Sequence, residues 1–289
     1  MENYRNHTSY KETNLDTLFQ SAWEIYKRNF GWFFLYSFVV VIIIQYLSSV
    51  LINPYMENFY ELAEDPEKAM GILKNSLLIF LLMILAYTLL HLFITAILLN
   101  EGSESEKSHS TIFSESVSKY YLPLLGATLL TSIIILVGTT LGVFFLIIGS
   151  LLAFIYLGTV FFPIVPLVII EDAKPLDAIS RCFKLVHSDF WKTVGYVVLI
   201  FLLYMVLSMI ISALTIAPFA GSFFEVMKDP SSVQAGKLAS NPAQLILGSI
   251  GNAILMPIIP IFSLLIYLSL KRQEDSHNDR DEMLKHFTR

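Results

Sequence analysis

The chain has 289 residues, 55% hydrophobic and only 15% charged, where a soluble domain of this length carries about a quarter charged residues. Its net charge of −5 gives a nucleic-acid partner no basic surface to meet. The single cysteine, Cys182, excludes an intramolecular disulfide. The charges lie between long uncharged stretches, and uncharged apolar stretches of about 18 residues or more read as membrane spans. The expected class is therefore an all-α polytopic membrane protein with six transmembrane helices.

In chain order, residues 1–14 are polar and lack the short basic start of a signal peptide, so the first span is expected to remain uncleaved. A six-helix membrane domain is expected over 15–270. Spans one and two are placed at about 30–52 and 76–99. Residues 120–170 hold no formal charge, enough for two crossings of about 20 residues each. These are placed at 122–146 and 150–170, with the turn near 147–150 and Gly138, Gly142 and Gly149 competing for it. The fifth span runs over 190–217, where Pro218 can end it, and the sixth over 244–270. A charged tail, 271–289, follows.

An even number of spans puts both termini on one side. With the N-terminus in the cytoplasm, the inside segments hold 15 Lys and Arg and the outside loops only Lys68, Lys74, Lys228 and Lys237. The positive-inside rule then places both termini in the cytoplasm, in a multi-pass protein of the cytoplasmic membrane. The first outside loop also carries Glu57, Glu61, Glu64, Asp65 and Glu67.

A pattern recurs ahead of the spans. Phe19, Trp23, Tyr26 and Phe30 precede span one, and Ile179, Phe183, Val186 and Phe190 precede span five. Both sets step by four, three and four, one stripe of a helix. Phe113, Val117, Tyr120 and Leu124 form a weaker third copy before span three. The simplest reading is three parallel repeats, each an amphipathic interfacial helix followed by a helical hairpin. Trp23, Tyr26, Phe30, Phe183, Phe190 and Trp191 are the candidate interfacial residues.

Two prolines three apart interrupt helix four, Pro163 and Pro166, and helix six, Pro257 and Pro260. Each removes a backbone donor, so both helices should kink or break there. Two kinked helices that pack well are the first expectation, and a binding site at matching breaks, as in transporters, is the second. His91 is the only histidine within a span. It reads as a neutral ring hydrogen-bonded to a neighbouring helix, with ligand or proton binding as the alternative.

Catalytic signatures are missing: there is no HExxH, GxSxG, GxxxxGK[ST] or GxGxxG. No catalytic residue, metal site or cofactor is expected. Glu171-Asp172 at the end of helix four is read as capping that junction or turning towards the basic face that follows. The polar stretches 101–110 and 271–289 are read as solvated. The Pro-x-Asp/Glu-x-x-Lys/Arg signature of mitochondrial carriers fails at Ser180, which stands where the basic residue belongs.

Glu171, Pro175-Leu176, Ala178, Arg181 to Val186 and Asp189-Phe190-Trp191 follow one another as an acidic helix end, a short loop, an amphipathic stretch and an entry step into the next span. Leu264-Leu265-Ile266-Tyr267 followed by Lys271-Arg272 closes the last span, with Leu268-Ser269-Leu270 where an acidic-Leu-Arg step is usual. In these segments the chain resembles the membrane domain of glycerophosphoryl diester phosphodiesterases and related standalone bacterial membrane proteins. The resemblance implies a six-helix membrane body. It implies no phosphodiesterase chemistry, which in the two-domain enzymes belongs to a soluble barrel; with 19 residues after the last span, no barrel is expected here. The expected function is non-catalytic, with membrane lipids or another membrane protein as partner. A small-molecule transporter or permease with a site near the kinked helices is the alternative. Ligand and oligomeric state are not legible.

Overall fold

The computed structural model describes Tyr4, His7, Ser9, Tyr10 and residues 14–52, 66–101, 107–228 and 241–287. Glu57, Glu61, Glu64, Asp65 and Lys237 lie outside them. The described residues form helices and turns without a strand. These are α1 (Leu15–Leu51), α2 (Pro66–Asn100), α3 (His109–Ser116), α4 (Leu122–Gly142), α5 (Leu146–Phe161), α6 (Ile164–Glu171), α7 (Pro175–His187), α8 (Phe190–Ile216), α9 (Ala220–Lys228), α10 (Pro242–Leu255) and α11 (Ile258–Phe287). Among the described residues, six stretches are long and apolar enough to cross a membrane: Leu15–Leu51, Ala69–Asn100, His109–Phe145, Ile147–Glu171, Phe190–Ser222 and Pro242–Arg280. Helices and closed barrels alone satisfy every backbone group inside hydrocarbon, so an apolar chain of this composition has no other open course.

The chain divides into two compact units. One comprises 1–29, 91–202 and 258–289, the other 30–90 and 203–257. In the first, α4 and α5 form a tight antiparallel hairpin, and α7 packs on α4, α5, α6 and α11. The turn of the hairpin falls at Val143–Phe145, earlier than 147–150, because Gly142 and Gly149 are the points where the two helices touch. A Cβ on Gly142 would lie 2.7 Å from the backbone of Gly149 and from Ser150 Cα. The core of this unit is aliphatic, with Leu92, Ile94, Leu98, Leu124, Val160, Leu167, Ile169, Leu185, Ile200 and Leu264 all buried.

In the second unit, the Asn75 amide donates to the Leu51 carbonyl at 2.8 Å, tying the start of α2 to the end of α1. Ser249 of α10 donates to Gln45 Oε1 of α1 at 2.9 Å. Gly251 lets α10 meet α8 closely: a Cβ there would lie 2.6 Å from Ile211 Cγ2 and 3.1 Å from Thr215 Cγ2.

Both proline pairs break their helices. The fourth span stops at Phe161 and restarts at Ile164, and the sixth stops at Leu255 and restarts at Ile258. Pro163 lacks the N–H that would serve the Thr159 carbonyl, and the Phe162 amide takes that place at 3.3 Å. Pro166 likewise orphans the Phe162 carbonyl, which accepts from the buried Ser263 hydroxyl at 2.8 Å. The break in the fourth span is thus sealed from within. Helix α11 runs on past Leu270 without interruption into the charged segment.

Candidate functional site

The densest polar arrangement among the described residues lies where α6, α7 and α11 meet. α6 ends at Glu171, and Asp172 turns the chain with a left-handed backbone, φ 53°, a conformation that Asp tolerates better than most residues. Pro175 then starts α7, its fixed φ suiting the first helical position. One face of α7, made by Ala178, Cys182, Leu185 and Val186, is buried. Arg181, on the flank of that face, reaches back to α6. Its Nε donates to Glu171 Oε2 at 2.8 Å and its Nη2 to Glu171 Oε1 at 3.1 Å. On its other side Nη1 donates to Glu274 Oε1 at 2.7 Å, and Nη2 is paired with Glu274 Oε2. A guanidinium fork suits two carboxylates in this way, where a lysine ammonium would not.

The network extends along α11. The Tyr267 hydroxyl donates to Glu171 Oε1 at 3.0 Å, and Lys271 donates to Glu274 Oε2 at 2.9 Å. Lys271 also pairs with Asp275 at 3.4 Å. Asp275 is 8% exposed and accepts from the hydroxyls of Tyr10 at 2.6 Å and Tyr4 at 3.2 Å. His7 fastens the same N-terminal segment elsewhere: its Nε2–H donates to the Leu98 carbonyl at 3.1 Å, which leaves Nδ1 to accept from the Ser9 amide at 3.1 Å.

The beginning of each stretch read as solvated is therefore engaged. Glu101 is paired with Arg28 and accepts from the Asn29 amide at 2.6 Å. Lys271, Glu274 and Asp275 belong to the network because the last helix does not end with its apolar stretch. Its residues 267, 271 and 274 keep facing α6 and α7 at helical spacing.

The charges fix a pH response. Hydrogen bonds from Arg181, then from Lys271, hold the Glu274 carboxyl down at about 2 against an opposing desolvation. Hydrogen bonds to Glu274, then to Glu171, raise Arg181, which stays charged throughout. Burial lowers His7 below its ordinary value. Both groups bind protons more readily unfolded than folded, so their stabilisation is present at neutral pH. That of His7 is lost as pH falls below its ordinary value of 6.5. That of Glu274 is lost as pH falls from its ordinary 4.5 towards 2. Hydrogen exchange across this range is expected to show the N-terminal segment loosening first and the junction of α7 with α11 second.

Trp191 is 82% exposed, Trp23 58% and Phe30 41%. Tyr26 is half-buried and stacks on Trp23 at 5.9 Å, and the Lys27 ammonium lies 5.4 Å from the Trp23 ring centre. Phe183 and Phe190 are half-buried in an aromatic cluster, Phe183 edge-on to Phe161 at 5.4 Å and Phe190 stacked on His187 at 5.2 Å. His187 donates from Nδ1 to the Phe183 carbonyl at 2.7 Å, so Nε2 accepts from the Tyr156 hydroxyl at 3.2 Å. The buried stripe thus lies one position before the aromatic one, because aliphatic and small side chains pack inward while the amphipathic rings take the rim.

His91 does not make the hydrogen bond expected of it. Its buried Nε2 has no partner among the described residues, nor has Thr95 Oγ1 one turn on. Leu90, Leu92, Phe93 and Ile94, its neighbours in the sequence, are apolar and buried. The four prolines sit at the helix breaks, and in the fourth span the freed carbonyls are served by the protein itself.

Beside the network lies an open recess of about 490 Å³, lined by Glu171, Asp172, Lys174, Asp177, Ser180, Arg181 and Lys184 among others. Asp172 pairs with Lys119 at 3.2 Å, while Lys174 and Lys184 form no ion pair among the described residues. No group of three or more His, Cys, Asp or Glu among the described residues is placed to hold a metal ion. Cys182 is wholly buried and its thiol is pushed up by that burial, the opposite of an activated nucleophile. Fold and site together define a multi-pass helical membrane protein. No family model, curated protein or solved structure matches the chain.

Proposed function

We propose that this is a non-catalytic protein of the cytoplasmic membrane, with both termini in the cytoplasm, that binds anionic lipid headgroups along its cytoplasmic-side helices. In this reading it is of the glycerophosphodiesterase-membrane-domain type. The observation that carries the proposal is the division of α7 into two faces. Ala178, Cys182, Leu185 and Val186 dock inward and the Arg181 fork fixes the rotation of the helix. Leu176, Ser180 and Lys184, four apart on its other face, stay exposed, as does Trp191 at the start of α8. An exposed stripe of apolar, basic and indole side chains beside a membrane span suits the headgroup layer, where tryptophan and lysine both find favourable surroundings.

The three-repeat organisation belongs to the same proposal. Leu18, Ala22 and Ile25 are buried at the steps at which Ala178, Cys182 and Leu185 are buried. Ile112 and Ser116 begin the same series, and a π-turn at Val117–Tyr121 delays the third member by one residue, to Tyr120. The sealed proline break supports packing of the kinked helix over a transport site at that level.

Phosphatidylglycerol titrated into protein in neutral detergent is expected to raise the melting temperature more than phosphatidylcholine does. The combined substitution Lys174→Gln, Lys184→Gln and Trp191→Ser should remove that difference while leaving the lipid-free melting temperature within a few degrees. Equal response of both proteins to both lipids would refute the proposal.

A further inference from the structure

We propose that the tip of the α4–α5 hairpin ends among the acyl chains of the far leaflet and presents nothing to the aqueous phase there. Val143, Phe144, Phe145, Ile147 and Ile148 are 63%, 83%, 79%, 87% and 67% exposed. No charged residue lies between Tyr120 and Ile170. Five apolar tip side chains this exposed in water would form a patch that soluble surfaces avoid.

Length agrees. Lys119 and Asp172, paired at 3.2 Å, mark the polar level at the base of the hairpin. From Leu122, α4 has 21 residues, which at 1.5 Å per residue is about 31 Å. The hydrocarbon core is about 30 Å thick, so the ordinary tilt of about 20° shortens that reach to about 29 Å and keeps the end of α4 inside it.

Backbone groups cannot be left open in that medium, and the turn binds several of its own. The Ser150 hydroxyl donates to the Thr139 carbonyl at 3.0 Å, and the Val143 amide turns back onto the carbonyls of Thr140 and Leu141. The exposed tip is continuous with the apolar outer faces of α4 and α5, where Ile133, Leu136, Leu151 and Leu152 are exposed as well. By contrast, α2 begins with Glu67 in its first turn and α9 ends with Lys228, polar markers that the hairpin lacks.

The test is power saturation of a nitroxide attached at Phe144→Cys in Cys182→Ala protein, reconstituted in phosphatidylcholine–phosphatidylglycerol vesicles. If Cys182→Ala purifies poorly, the wild-type Cys182 is retained, being buried away from the label. Oxygen should relax the tip label strongly while the water-soluble nickel complex leaves it unchanged. A label at Glu67→Cys should respond to nickel. Relaxation of the tip label by nickel would show the tip in water and overturn the inference. Insensitivity to both agents would show it covered by protein, a second copy for instance, and would overturn it equally.

Discussion

Replacing Arg181 by methionine is expected to destabilise the protein by about 2–3 kcal/mol and to release α7 from α11. Breaking a buried ion pair by removing one partner costs about 3–5 kcal/mol, because the remaining charge keeps its desolvation without its counterion. Here Arg181, Glu171 and Glu274 side chains are 21%, 21% and 23% exposed, which places the loss below that range. The substitution would leave two carboxylates facing each other with only Lys271 and Tyr267 to serve them. Arg181→Lys should recover little, since one ammonium cannot offer paired donors to both acids. Removing the charges together, as Arg181→Met with Glu171→Gln and Glu274→Gln, should recover more than half of the loss. Melting temperatures of the four proteins in one detergent would show the pattern. A triple variant no better than the single one would mean that the guanidinium acts by packing and not by charge.

The second large effect is expected at Gly149. A Cβ there would lie 2.6 Å from Phe145 Cβ and would press on the Gly142 carbonyl, whose carbon it would meet at 3.4 Å. Neither can yield without parting the helices. Gly149→Ala should therefore cost about 2–3 kcal/mol, in the range of other overpacked sites, despite the better helix propensity of alanine. Gly158→Ala on the same helix meets nothing within 4 Å and should stabilise by up to about 1 kcal/mol. Thermal unfolding of the pair in the same detergent separates close approach from propensity. Equal melting temperatures would contradict the packing described for the hairpin.

The six spans were legible because hydrocarbon imposes one rule on every residue of a span, and 51 uncharged residues leave no other reading. Both proline breaks were legible for an equally local reason, the missing donor. The turn of the hairpin was harder to place. Three glycines competed, and which of them touch depends on the facing helix, as Gly142 and Gly149 show. The pairing of Glu171 with the helix that follows it lay within reach, since ten residues separate Glu171 from Arg181. Its second partner, Glu274, lies 93 residues from Arg181, and no local pattern joins the two. One signal was there to be read: nothing between Leu270 and Phe287 breaks a helix, so Tyr267, Lys271 and Glu274 had to share a face. The aromatic stripe showed the period of the helices but not their buried side, because Trp, Tyr and Phe suit a rim as well as a core.

Native mass spectrometry of the protein purified in mild detergent tests the proposed lipid role most directly. Anionic phospholipid retained at fixed stoichiometry, and lost on the combined substitution of Lys174, Lys184 and Trp191, is the result predicted. Bare protein, or protein carrying another polypeptide in place of lipid, would contradict it.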